Sequence, residues 1–103
     1  MAGYLITEPA QEDILGIWTE IAKNNEAAAD GVVRDLVGHF ETLANSPRIG
    51  RIREAFSPVL HVFPSFKAGW RSTYMIFYRI TERGIEIIRV LEGHREITPE
   101  LFE

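Results

Sequence analysis

The sequence predicts an α+β domain in which an N-terminal strand and an antiparallel helix hairpin cover one face of a mainly antiparallel, twisted sheet. Two observations predict it. Apolar residues recur at three- and four-residue spacing through the first half of the chain. The second half turns to short runs rich in β-branched and aromatic residues, separated by turn residues. Helices that come first and strands that come later indicate α+β rather than a parallel α/β fold. The 103 residues fit one domain spanning 1–103, long enough to bury a core without cross-links.

Tyr4-Leu5-Ile6-Thr7 forms a short first strand. Glu8-Pro9 opens the first helix, because proline lacks an N–H that the first turn does not use, and acids there favour the helix dipole. Ile14, Trp18, Ile21 and Ala22, with Leu15 and Ile17 alongside, make one apolar stripe on a helix over 9–23, with Trp18 read as core. Asn24-Asn25 breaks it. Ala29, Val32, Val33, Leu36, Phe40 and Leu43 make the stripe of a second helix over 26–44, which Asn45-Ser46-Pro47 ends. So short a connection makes the pair an antiparallel hairpin.

Residues 47–58 read as a basic loop carrying Arg48, Arg51 and Arg53. Residues 59–66 read as a strand that Pro64 confines to an edge or bends. The strongest strands are 72–81 and 85–91, joined by Glu82-Arg83-Gly84 with Gly84 free to take positive φ. The whole order is β-α-α-β-β-β. A turn centred on Arg83-Gly84 sets Ile76, Tyr78 and Ile80 opposite Leu91, Arg89 and Ile87 on the helix side, whereas a turn shifted by one residue would swap the last strand's partners. Met75, Phe77, Arg79, Ile88 and Val90 then fall on the other face. Two helices cannot cover both faces. Exposed together, Met75, Phe77, Ile88 and Val90 mark a partner surface, self-association included. The alternative is that the C-terminal tail or the 47–58 loop folds over them.

Composition narrows the functional classes. There is no cysteine, so thiolate nucleophiles, Cys-based zinc sites and disulfides are excluded. The formal charge of -4 argues against strong nucleic-acid binding. The charge is uneven, however: eight acids against two basic residues up to position 46, then nine basic residues against seven acids from Arg48 onward. Arg48, Arg51, Arg53, Lys67 and Arg71, with Trp70 beside them, are candidates for target contact or for an interface rim, against ordinary surface charge as the alternative. His39, His61 and His94 have no metal-site spacing, and no glycine-rich phosphate loop or nucleophile elbow is present. No cofactor or metal is expected. No leader or membrane-spanning run is read, so the cytoplasm is the expected compartment.

Three stretches together resemble the RelE/ParE toxin superfamily of type II toxin–antitoxin systems, and its ParE branch most. "EPAQEDILGIWTEIA" is similar to the branch's first helix, with Pro9, Asp13, Ile14, Ile17 and Trp18. "LANSPRIGRIR" is similar to the loop after the hairpin, with Asn45, Pro47, Gly50 and Arg51. "YMIFYRI" and "GIEIIRVLEGHRE" resemble the last two strands, with Phe77-Tyr78-Arg79 and then Ile88, Val90, Leu91 and Gly93. The resemblance implies a toxin, associated with plasmid stabilisation, that inhibits DNA gyrase. A ParD-like antitoxin of ribbon–helix–helix type would neutralise it by laying a helix and an extended strand along the face that carries Met75, Phe77, Arg79, Ile88 and Val90. It implies no catalytic residues. The RelE branch instead cuts mRNA on the ribosome, with a basic residue on the third strand, an Arg after the fourth and a Tyr or His-Tyr near the C-terminus. Here the first position is Met75, Arg95 matches the second, and "ITPELFE" lacks the third. A nuclease would therefore rest on Arg95 and His94. A ribosome-dependent RNase and an antitoxin-binding module without toxicity remain the alternatives.

Overall fold

The computed structural model describes residues 3–65, 73–93 and 96–102. The elements are β1 (Gly3–Ile6), α1 (Glu8–Ala22), α2 (Glu26–Asn45), β2 (Arg51–Ile52), β3 (His61–Ser65), β4 (Tyr74–Thr81), β5 (Gly84–Glu92) and a C-terminal 3₁₀ turn, Pro99–Phe102. The α+β architecture is the expected one, with one strand more: a two-residue β2 inside the stretch read as loop.

Local chemistry accounts for the boundaries. Pro9 lies in the first turn of α1. Asn25 caps α2, its side chain accepting from the Ala28 amide at 3.0 Å. Tertiary packing selects the faces. Ala10, Ile14, Ile17 and Ile21 of α1 and Val32, Leu36, Phe40 and Leu43 of α2 close on Tyr4, Ile6, Tyr74, Ile76, Tyr78, Ile85 and Ile87 of the sheet. Leu15, read into the α1 stripe, faces solvent. Trp18, read as core, is half-buried, and its indole N–H donates to Asp30 at 2.8 Å, tying α1 to α2.

The sheet order is β1-β5-β4-β3-β2. β1 runs parallel to β5, and the remaining pairs are antiparallel. Pro64 is exposed and stays in register opposite Met75.

The β4–β5 register corrects the expected one. The turn is Glu82-Arg83, because Thr81 pairs with Gly84. Gly84 has φ 143°, and a side chain there would run into the Gly3 carbonyl, so glycine lets β1 dock beside the turn. Ile80 faces Ile85 and Tyr78 faces Ile87. Phe77 then faces Arg89, so Ile88 is an extra residue in β5. This bulge changes the side on which every later side chain points. Val90, expected on the far face, lies in the helix-side core, and Leu91, expected on the helix side, lies on the far face.

Candidate partner-binding face

The far face of the sheet is neither bare nor fully covered. Phe77, Leu91, Leu60 and Val62 are buried there beneath Phe56 of the 53–59 segment and Ile97, Leu101 and Phe102 of the tail. The Phe102 ring lies 4.6 Å from that of Phe77, and Phe56 meets Phe77 edge-on at 5.8 Å. Both covers named as the alternative from sequence are thus in place. Phe77 is 0% exposed, not an open anchor. Met75 and Ile88 are half-buried at the margins of the cover. Arg79 is exposed and ion-paired with Glu86 across the strands. Leu5 is opposite Glu86 in β1, on the side away from the helices, and stands open. Between the tail and the start of α1, a cleft is lined by Thr7, Pro9, Ile88, Arg89, Leu101 and Phe102.

One polar cluster fixes this cleft. The Arg89 guanidinium grips Asp13 of α1 through Nε at 2.6 Å and Nη2 at 2.8 Å, while Nη1 donates to the Leu101 carbonyl at 2.8 Å. Asp13 also accepts from the Val90 amide at 3.0 Å. The hydrogen bond to Asp13 holds the Arg89 pKa above its ordinary value, against the opposing effect of burial. Sequence reasoning quoted Asp13 only as part of a helix motif. Its role depends on a contact across 76 residues, for which local pattern carries no signal.

A second polar cluster shapes the 46–53 segment. The Tyr78 hydroxyl donates to the Pro47 carbonyl at 2.6 Å and accepts from the Gly50 amide at 2.9 Å. A side chain at Gly50 would run into that hydroxyl, so glycine lets the chain lie on Tyr78. Burial raises the Tyr78 pKa, and the Gly50 hydrogen bond opposes the shift. Because the folded pKa exceeds the unfolded value near 10, this contribution to stability is complete below about pH 10 and is lost as pH rises through the folded pKa. Tyr78→Phe should cost about 1–3 kcal/mol in urea unfolding at pH 7. Its stability curve should also lack that component of the loss above about pH 10.

Arg48, Arg51 and Arg53 are all exposed at the β2 end of the sheet, away from the cleft. Lys67, Trp70, Arg71, His94 and Arg95 lie outside the described residues. His39 accepts or donates at 2.6 Å to the buried Ser65, and His61 lies against the Tyr78 ring, so both are built into the sheet margin. No group of three metal-ligating side chains occurs among the described residues, nor any helix long and apolar enough to cross a membrane.

The family model "ParE toxin of type II toxin-antitoxin system, parDE" matches residues 4–97. The chain belongs to the ParE toxin family. A solved structure described as the chromosomal ParDE TA system from P. aeruginosa contains a chain with the same fold, at a TM-score of 0.70 and 19% identity, over 89% of this chain and 96% of that one. A search of curated proteins finds no match. This ParE-family toxin thus shares that fold at low identity.

Proposed function

We propose that this ParE-family toxin inhibits DNA gyrase in the cytoplasm by binding rather than by catalysis, and that an antitoxin of the ParD kind neutralises it. The family match over 4–97 carries the reading. The side chain at position 75 supports binding over RNA cleavage, because a methionine neither moves a proton nor neutralises a phosphate.

The antitoxin site read from sequence comprised Met75, Phe77, Arg79, Ile88 and Val90. With Phe77 and Val90 buried, we take the site to be what stays reachable: Leu5, Met75, Arg79, Ile88 and the cleft walled by Leu101 and Phe102. Apolar anchors of an amphipathic antitoxin segment fit such a cleft, with polar groups meeting the Arg79–Glu86 rim. Leu5→Asp and Ile88→Asp should each weaken antitoxin binding about thirtyfold or more, as loss of an interface anchor does. Isothermal titration against the antitoxin checks this. Unchanged affinity in both folded variants would place the antitoxin elsewhere.

The gyrase reading is tested by supercoiling of relaxed plasmid with the toxin titrated in, cleaved DNA being trapped with detergent and protease. Inhibition with accumulated cleaved DNA is expected. No effect from folded protein would overturn this reading in favour of ribosome-dependent cleavage or of a module without toxicity.

A further inference from the structure

The outer edge of the sheet is basic and apolar at once. Among the described residues β2 is the terminal strand on that side, and a terminal strand offers its main-chain N–H and C=O groups to another chain. Arg48, Arg51 and Arg53 are exposed around it. Ile49, Ile52 and Val59 are 49%, 47% and 65% exposed, three of the five large apolar side chains that stand open among the described residues.

The segment is held in shape. Tyr78 clamps it through Pro47 and Gly50, and the Ile49 amide donates to the Ser46 carbonyl at 3.1 Å. Its two sides differ. Arg51 pairs with Val62, so it shares the far face with the Phe77 cluster. The Arg53 guanidinium lies 4.9 Å from the centre of the Phe56 ring, on that same side. Ile52 pairs with His61, whose ring rests on Tyr78, and so faces the helix side. A strand laid against β2 would meet arginines on one side and isoleucine on the other. An extended segment alternating carboxylate with apolar side chains fits that pattern, and a preformed edge loses little entropy in taking it.

We propose that this edge is where the toxin meets its target, taking an extended acidic segment of gyrase as an added strand. The proposal rests on the reading above, in which the toxin acts by binding gyrase. Ile49 and Ile52 between the arginines favour a protein segment over a phosphate backbone, and the net charge of -4 points the same way. The antitoxin cleft lies by β1 and β5, at the other end of the strand order, so this edge is a separate surface.

The test is the double charge reversal Arg48→Glu with Arg51→Glu, beside Arg48→Lys with Arg51→Lys. Each is assayed for gyrase inhibition, antitoxin affinity, thermal unfolding and sedimentation. The Glu pair should raise the half-inhibitory concentration about tenfold or more, with antitoxin affinity and Tm unchanged, and the Lys pair should stay near wild type. Association of the unmodified toxin with gyrase should also slow steeply with added salt, which needs no variant and stands if the Glu pair fails to fold. Unchanged inhibition by the folded Glu pair overturns the proposal while leaving the gyrase reading intact. A parallel fall in antitoxin affinity assigns the edge to the antitoxin and overturns it. So does a wild-type dimer that the Glu pair separates without loss of inhibition, or slower association with DNA in place of gyrase. Silence of the wild type in the gyrase assay is the separate failure of the underlying reading.

Discussion

Phe77→Glu is expected to abolish cooperative unfolding. Phe77 is fully buried between the sheet and the rings of Phe56 and Phe102. Removing a buried phenyl group costs about 3–5 kcal/mol. A carboxyl in its place adds about 1–3 kcal/mol for a polar group without partners, more if it stays charged. Domains of this size are stable by only about 5–15 kcal/mol. Far-UV circular dichroism on heating should show a low, broad change without a sigmoidal transition. A Tm within a few degrees of wild type would mean that the tail lifts readily and exposes Phe77 to water. From sequence, the same substitution reads as a probe of partner binding. The packing makes it a probe of folding, and any loss of antitoxin binding in it carries no information about the interface.

Asp13→Ala should cost about 3–5 kcal/mol in urea unfolding, as much as emptying a buried core position on the helix hairpin. Asp13 and Arg89 are 13% and 18% exposed, so solvent screens the pair little. Without the carboxylate, the charged guanidinium at the α1–β5 junction keeps the Leu101 carbonyl and the more distant charge of Glu12, and the Val90 amide loses its acceptor. Replacing both members, as in Asp13→Leu with Arg89→Leu, should recover part of the loss, because no unpaired charge is then buried. A double variant as unstable as the sum of the singles would show that the two side chains act independently. The single variant should also loosen the cleft, since Arg89 joins α1 to the tail.

Much of the architecture was legible because it follows from local rules. Pro9, Asn25 and Gly84 punctuate the chain where the structure bends, and the α2 stripe names the residues that α2 buries. The candidate site was half legible, and the reason is one residue. Side-chain alternation fixes a strand's faces only while the pairing is unbroken, and the bulge at Ile88 moves Val90 inward and Leu91 outward. Neither Ile88 nor its neighbours carry a glycine or other mark of a bulge. The local twist that accommodates it is set by the neighbouring elements rather than by composition. β2 was illegible for a similar reason: two residues are too few for a period, and they align because Tyr78, 28 residues after Gly50, holds the segment. The tail's role lay outside periodicity, since four residues reveal nothing until their neighbours are known.

The parallel pairing of β1 with β5 has a consequence for how the toxin comes into being. Gly3 pairs with Gly84, the Thr7 hydroxyl donates to the Ile87 carbonyl across 80 residues, and Asp13 reaches Arg89 across 76. The helix hairpin is assembled from near neighbours and can form early. The first strand has nowhere to go until the last strand exists. Closing so long a loop is entropically costly and slow, so the hairpin precedes the finished sheet during synthesis. A chain that stops before Gly84 lacks β5, and with it the strand partner of β1 and the hydrogen-bond partners of Asp13. Incomplete copies of this toxin therefore lack both the cleft and the braced far face, which arrive only with the final fifth of the polypeptide.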